Sequence, residues 1–129
     1  MTQEDKELLL KDICARLPYG VIIHVNGHDE RVDEINPFEG IITCGFQSFS
    51  IDECKPYLRS MSSMTEEERN EYLSIKMQET ERVALAEVYR PEAISEIMDW
   101  LNKHHFDYRG LIPKSLAISV NKNNNPYKE

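Results

Sequence analysis

A run of β-branched residues near the N-terminus limits the folds that this chain can adopt. Residues 21–25 read VIIHV, and the next two residues are Asn26 and Gly27. Residues of this type favour extended strands, and Asn-Gly tolerates the positive φ angles of a tight hairpin turn. Residues 31–35 can then return antiparallel to the first strand. The sequence therefore predicts a β-hairpin that begins a small antiparallel sheet.

Two further short strands are predicted after Asn36-Pro37 interrupts the pattern. Residues 41–44 and 46–51 flank Gly45 and are rich in residues that suit strands. Residues 55–58 follow them, and we interpret this segment as a helical turn that leaves the sheet. About four strands would form a meander, and their number leaves open whether it closes into an SH3-like barrel.

An amphipathic helix is predicted before the sheet, over about residues 3 to 17. Thr2 followed by Asp5 resembles a capping box, in which the hydroxyl and the carboxylate satisfy free N–H groups of the first turn. The apolar residues recur at helical spacing until Pro18 ends the pattern, and they form one face: Leu9, Ile13 and Leu17, with Leu10 and Cys14 beside them. We expect this face to cover the sheet.

The second half of the chain is predicted to be largely helical. Thr65 and the acids that follow it favour a helix start at residue 65. The pattern predicts that this helix ends near residue 89, and it leaves open whether the helix breaks near residue 80. Pro91 suits the first turn of another helix, which should end near His104. Residues 116–120 can form a short strand, and residues 121–129 are expected to fray.

These elements indicate an α+β fold in one domain spanning residues 1–129. A chain of 129 residues has room for one ordinary core, not for two independent ones. Within it, residues 1–59 would form the N-terminal helix and the sheet. Residues 60–129 would form a helical extension with a C-terminal tail.

The charge of the chain is acidic and uneven. Its net charge is −8, which disfavours phosphate backbones and anionic lipids as partners. Residues 1–99 carry 10 Lys or Arg and 21 Asp or Glu, whereas residues 100–129 carry 5 and 2. Nucleic acid is thus an unfavoured partner unless the basic C-terminal part provides a local site.

The sequence also predicts where the protein works. The N-terminal residues are acidic, the apolar run Leu8-Leu9-Leu10 is too short for a signal peptide, and no stretch reaches the roughly 20 residues that span a bilayer. Cys14, Cys44 and Cys54 form no CxxC motif, so we interpret them as reduced, inert thiols in the core. We expect a cytoplasmic protein without a membrane contact.

Motifs of the common catalytic scaffolds are missing from the chain. It lacks GxSxG, GxGxxG, GxxxxGK[ST] and HExxH. His24, His28 and Asp29 flank the predicted hairpin turn, but two histidines without a firm third ligand make a weak metal site. We therefore expect no metal and no cofactor. Whether the chain is an enzyme stays open, and the missing motifs favour a noncatalytic role.

Residues 100–114 form the main candidate binding segment. Adjacent His104 and His105 would point about 100° apart on a helix, so one metal cannot easily bind both. If the helix continues, His105 stacks below Leu101 and Met98, and we interpret it as a helix-end histidine that packs on the core. Aromatic and basic residues are interleaved here, which suits stacking on unpaired bases or a protein contact. The candidate binding residues are Trp100, His104, His105, Asp107, Tyr108 and Arg109.

Four blocks of the sequence resemble a family of short proteins, without an assigned activity, from gut-associated bacteria and their phages or mobile elements. The blocks are LKDICARLPYGV at residues 10–21, KPYLR at 55–59, SSMTEEE at 62–68 and DWLNKHHFDYRGLIPK at 99–114. The resemblance covers most of the chain. It implies a small accessory protein of a phage or mobile element rather than a metabolic enzyme, and it adds no site residue.

Three functions remain as hypotheses. The first is a noncatalytic interaction module that contacts a protein partner or a second copy of itself. The second is binding of RNA or single-stranded DNA through residues 100–114. The third is a small enzyme or a protein that sequesters a small ligand, in which His104, His105, Asp107 and Arg109 would converge on one pocket.

Overall fold

The computed structural model describes residues 1–86 and 91–127. This part of the chain contains three helices and seven strands, interrupted by short 3-10 turns. The helices are α1 (Gln3–Arg16), α2 (Glu66–Ala86) and α3 (Pro91–Lys103). The strands are β1 (Ile22–Val25), β2 (His28–Arg31), β3 (Glu34–Asn36), β4 (Ile41–Cys44), β5 (Gln47–Ser50), β6 (Lys55–Leu58) and β7 (Ile118–Ser119).

The strands form two sheets, and the predicted α+β class is confirmed. The first sheet has four strands in the order β2-β1-β6-β7, and the second sheet has three strands in the order β3-β4-β5. All pairings are antiparallel except that of β6 with β7. The described strands do not close into a barrel, so the expected single meander is divided into two open sheets.

The first hairpin turns at Asn26-Gly27 as the sequence predicts, but the predicted return strand at residues 31–35 is wrong. The chain pairs with β1 directly after the two-residue turn, as β2, and residues 34–36 join the second sheet as β3. Val25 in β1 pairs with His28 in β2. The two turn residues between them, Asn26 and Gly27, have φ angles of 51° and 78°. These are left-handed values that Asn and Gly tolerate better than other residues. Local sequence is thus sufficient to define this turn.

The prediction of a helical turn at residues 55–58 is wrong. This segment is β6, which lies between β1 and β7 inside the first sheet. Pro56, Tyr57 and Leu58 are buried whereas Lys55 is exposed. A central strand is covered on both faces and shows no simple alternation of apolar and polar residues. The pairing with two distant strands decides the conformation here.

Helix α1 begins at the predicted capping box. Thr2 Oγ1 accepts a hydrogen bond from the Asp5 N–H at 3.0 Å, and the Asp5 carboxylate accepts one from the Thr2 N–H at 3.4 Å. Leu9 and Ile13 are fully buried in the main core. Asp12 and Arg16 are fully buried as well, although the sequence pattern predicts an apolar face only.

Helix α2 also begins as predicted. Thr65 Oγ1 accepts from the Glu68 N–H at 3.1 Å, and the Glu68 carboxylate accepts from the Thr65 N–H at 2.9 Å. The helix continues to Ala86 without a break near residue 80. Its predicted end at residue 89 lies outside the described residues. Helix α3 ends at Lys103, close to the expected end at His104.

The C-terminal part is more ordered than expected up to Tyr127, and residues 128–129 lie outside the described part. Strand β7 is shorter than predicted, since it comprises Ile118 and Ser119 only. The Tyr127 hydroxyl accepts from the Ile22 N–H at 3.0 Å and donates to the Tyr57 carbonyl at 2.8 Å. It thereby bridges β1 and β6 beyond their last paired residues. This contact holds the tail against the first sheet.

Two apolar clusters form the interior. The main core lies between α1 and the two sheets and includes Leu9, Ile13, Ile23, Ile42 and Leu58. The second cluster contains Trp100, Leu101 and Phe106, and α2 packs against it through Tyr72 and Ile75. No helix in the described ranges is long and apolar enough to cross a membrane.

Candidate functional site

The candidate binding segment begins in the interior of the protein. Trp100 is only 7% exposed. Its ring contacts those of Tyr72 and Phe106, with centroid distances of 5.8 and 5.6 Å. A tryptophan in this position stabilises the second apolar cluster. It does not offer a free face on which a base could stack.

The two adjacent histidines contact different parts of the protein. The His104 ring packs on Trp100 at 4.5 Å between centroids. Helix α3 has ended before His105, which has a left-handed φ of 61° and stacks on Tyr127 at 3.7 Å. Because the helix does not continue, His105 does not stack below Leu101 and Met98, but it is only 8% exposed, as expected of a helix-end histidine that packs on the core. The two imidazoles do not converge on one ligand.

The surroundings of His105 oppose its protonation. The side chain is buried, and burial lowers its pKa to about 4, with further lowering by the Arg16 charge and by His104, Arg59 and Arg31. Among the described residues, its Nδ1 atom has no hydrogen-bond partner. The imidazole is thus neutral at physiological pH and acts as a flat packing surface for Tyr127.

Replacement of His105 by asparagine should flatten the pH dependence of stability in mildly acidic solution. The histidine pKa is about 4 in the folded protein, against an ordinary value of 6.5. Between these values the unfolded chain binds a proton that the folded chain does not, so stability falls as the pH falls from 6.5 to 4, by about 3 kcal/mol. Asparagine tolerates the left-handed φ.

Urea unfolding at several pH values between 7 and 4 measures this effect. The variant should be less stable at pH 7, since the stacking on Tyr127 is lost, yet it should lose less stability on acidification. Parallel pH profiles of the two proteins would contradict the assignment of a neutral, buried His105.

The next three candidate residues also have structural partners. The Asp107 carboxylate accepts from the N–H groups of Leu111 and Ile112 at 2.8 and 2.9 Å. The Tyr108 hydroxyl donates to the side-chain carbonyl of Asn102 at 2.8 Å. Arg109 donates to Asp12 at 2.8 Å and covers the Tyr108 ring at 4.5 Å from its centroid. These contacts fix the segment against α1 and the following loop.

A buried ionic network joins α1 to the candidate segment. Arg16 donates twice to Asp12, through Nε at 2.9 Å and Nη2 at 3.0 Å, and Nη2 also donates to the Phe106 carbonyl at 2.5 Å. Asp12 and Arg16 are both fully buried. This pair is not among the sequence-based predictions, although Asp and Arg four residues apart on a helix are a known pairing signal.

A second ion pair fixes the start of α2. Arg59 donates to both carboxylate oxygens of Glu68 at 2.6 Å, and its guanidinium lies over the Phe106 ring at 4.3 Å. The hydrogen bonds from Arg59 lower the pKa of Glu68 to about 2. Both charged groups are thus occupied in a contact between β6 and α2.

The His24 cluster on the first sheet is a small polar surface group. His24 Nδ1 lies 2.9 Å from an Asp29 oxygen, which also accepts from the Tyr57 hydroxyl at 2.7 Å. These hydrogen bonds lower the pKa of Asp29. Burial, together with the hydrogen bond to Asp29, raises the pKa of Tyr57 to about 12. His28 is exposed. Across the described residues, no group of three or more His, Cys, Asp or Glu could hold a metal ion.

The cysteines differ in their surroundings. Cys44 and Cys54 are buried, which raises their pKa values to about 11 and 12. Thiols with such pKa values are protonated and unreactive at neutral pH. Cys14 is exposed, which corrects the expectation that all three thiols lie in the core.

Two phenylalanines on the second sheet are fully exposed. Phe38 lies in the turn between β3 and β4 and is 98% exposed, and Phe46 lies in the turn between β4 and β5 and is 108% exposed. The two turns close opposite ends of β4. Because a four-residue strand is about 13 Å long, the two rings mark the ends of a surface that a short peptide segment could span.

A hollow of about 490 Å³ lies on the outer face of this sheet. Glu34, Thr43 and Ser48 are cross-strand neighbours on that face, opposite to the face on which Ile42 is buried. The lining also includes apolar side chains and a second carboxylate: Ile35, Pro37, Ile41 and Glu39. Both acidic and apolar residues thus line the hollow.

The charged residues within the second sheet and its turns are all acidic. Residues 32–54 contain five acidic residues and no Lys or Arg. One of the acids, Asp52, pairs with Lys6 of α1 at 3.5 Å. Glu34 and Glu39 are exposed. We define the acidic Phe surface as the residues that line the hollow, Glu34, Glu39 and Ile41, together with the exposed residues in the turns at the two ends of β4, Phe38 and Phe46.

The acidic Phe surface is not among the sequence-based predictions. Those predictions rest on titratable groups and aromatic-basic mixtures, whereas Phe38 and Phe46 stand alone in turns. A signal was present, because Phe38 sits between Pro37 and Glu39 and Phe46 follows Gly45. Turn positions are solvent-exposed, and a large apolar residue there is unusual.

Comparisons with known proteins give no match to this chain, whether with protein-family models, with curated proteins or with solved structures.

Proposed function

We propose that this protein is a noncatalytic protein-interaction module. The observation that carries the proposal is the complete exposure of Phe38 and Phe46. An exposed phenylalanine gains about 1.5–3 kcal/mol when a partner removes it from water. Aromatic side chains of this kind are enriched in protein interfaces and often contribute most of the binding free energy.

The contacts of the titratable residues support a noncatalytic role. The six candidate binding residues at positions 100–109 pack on, or bond to, other parts of the same chain. Their side chains maintain the fold, and a binding role for them stays a prediction. The resemblance to short phage and mobile-element proteins would make this module an accessory protein, working in the cytoplasm.

The two alternative functions have less support. Binding of nucleic acid through residues 100–114 would use exposed aromatic rings and free cations. Trp100 is buried and Arg109 is paired with Asp12, which leaves mainly exposed Lys103 and Lys114. A small enzyme or ligand-sequestering protein would need converging groups, whereas His104 and His105 contact different elements.

Substitution of both exposed phenylalanines by serine tests the proposal. A partner captured from cells that express the protein should bind the Phe38→Ser/Phe46→Ser variant at least about tenfold more weakly than the wild type, in measurements with purified components. Thermal stability should be unchanged, because neither ring is covered in the free protein.

The matched control is Met77→Ser on α2, where an apolar side chain is 63% exposed. This variant should bind the same partner as tightly as the wild type. Capture that is equal for all three proteins would contradict an interaction through the acidic Phe surface. A protein that captures no partner and remains monomeric in light scattering would contradict the interaction module itself.

A further inference from the structure

We infer that the acidic Phe surface binds a cationic segment of a partner protein, in which Lys or Arg residues alternate with apolar residues. This inference rests on the proposed function and specifies the chemistry of the partner. It follows from three features of the second sheet: where its apolar side chains lie, how its charges are arranged and how large its hollow is.

The apolar groups define where the segment lies. Phe38 and Phe46 stand at opposite ends of β4, and Ile41 lies on the outer face between the two turns. An extended segment rises about 3.3 Å per residue, so about four residues cover the length of β4. Apolar side chains of such a segment would contact Ile41 and the two exposed rings.

The charged groups define which side chains the segment carries. Glu34 and Glu39 both line the hollow, and neither forms an ion pair within the described residues. Lys6 of α1 lines a neighbouring hollow together with Glu39, but it pairs with Asp52 at 3.5 Å. A Lys or Arg side chain in the hollow would bind these carboxylates, while an acidic segment would be repelled. The hollow, at about 490 Å³, has room for such a side chain.

The same charges argue against the other occupants of this surface. A second copy that presents the same surface would bring Glu34 and Glu39 against the same two acids, which disfavours a symmetric dimer. Nucleic acid and anionic lipid carry the wrong charge. A basic partner segment is the occupant whose charge and apolar content both match the surface.

Short synthetic peptides test the inference even before the cellular partner is identified. In the first peptide lysines alternate with leucines, in the second glutamates replace the lysines, and in the third serines replace the leucines. Fluorescence anisotropy with labelled peptides should show binding of the lysine-leucine peptide to the full-length protein. The other two peptides should each bind at least about tenfold more weakly.

Two charge variants locate the binding. Glu34→Gln/Glu39→Gln should weaken binding of the lysine-leucine peptide about five- to tenfold, because two contacts with the hollow are lost. The matched control Glu66→Gln/Glu67→Gln removes the same charge from two exposed residues on α2 and should change binding less than about twofold. Equal weakening in both variants would show a nonspecific attraction and overturn the inference.

The remaining outcomes separate this inference from the proposed function. If the lysine-leucine peptide does not bind, but capture of a cellular partner still depends on Phe38 and Phe46, the inference fails and the interaction module stands. If sedimentation shows that the protein alone self-associates and that Phe38→Ser/Phe46→Ser abolishes this, a second copy occupies the surface and the inference fails.

Discussion

Replacement of Asp12 by asparagine should lower the free energy of unfolding by about 3–5 kcal/mol. The Asp12 carboxylate is fully buried and accepts hydrogen bonds from two arginines, Arg16 and Arg109. Asparagine keeps the shape of the side chain but removes its charge. The fully buried guanidinium of Arg16 would then have no counterion, and burial of an unpaired charge is among the costliest changes that a core can suffer.

Urea unfolding at neutral pH measures this loss, and Asp52→Asn serves as the control. Asp52 pairs with Lys6 at 3.5 Å, and both side chains are over one-third exposed, at 48% and 36%. Exposed ion pairs contribute about 0–1 kcal/mol, so the control should be nearly as stable as the wild type. Similar, small losses in both variants would contradict a buried network at the interface of α1 and residues 106–109.

Replacement of Phe106 by alanine should cost about 3–5 kcal/mol of stability. The side chain is fully buried in the second apolar cluster. One face stacks near Trp100 at 5.6 Å, and the Arg59 guanidinium covers the ring at 4.3 Å. Removing the ring leaves a cavity and also weakens the packing that orients Arg59 toward Glu68. The loss should therefore exceed that of simple transfer to water.

The same substitution at Phe46 provides the comparison, because this ring is 108% exposed. Phe46→Ala should change the free energy of unfolding by less than about 0.5 kcal/mol. Unfolding of both variants by urea or heat gives the difference directly. A large loss at Phe46 would mean that its ring packs on the fold, and would remove the main observation behind the proposed function.

Local sequence is sufficient for the elements that depend on neighbouring residues. The capping boxes at Thr2 and Thr65 form as predicted, since both partners of each hydrogen bond lie within one helical turn. The Asn26-Gly27 hairpin is equally local. The α+β class follows from these elements and from the order in which they occur.

Contacts distant in sequence decide the features that the prediction misses. Residues 55–58 form a strand because β1 and β7 pair with them from opposite ends of the chain. Arg16 is buried because residues some 90 positions later complete its surroundings. The Phe106 carbonyl accepts from Arg16, and Arg109 donates to its partner Asp12. The order of the tail up to Tyr127 depends on the distant His105 and Ile22. Sequence periodicity contains no information about such partners.

The candidate site shows the same division. The residue types at positions 100–109, which include histidine, tryptophan and arginine, suggest a binding or catalytic site. Whether these side chains can contact a ligand depends on their exposure. Trp100 and His105 are buried in the interior, whereas Phe38 and Phe46 are exposed and accessible to a partner. Both properties arise from tertiary packing, so the sequence could supply candidates but could not rank them.

Photo-crosslinking in living cells tests most directly that this protein docks through its second sheet. A photoreactive phenylalanine analogue replaces Phe38 in one variant and Tyr108 in another, so that both changes are aromatic for aromatic. We predict a specific crosslink to another protein from position 38 and none from position 108. A crosslinked partner from position 108 alone would contradict the account and return the binding site to residues 100–114.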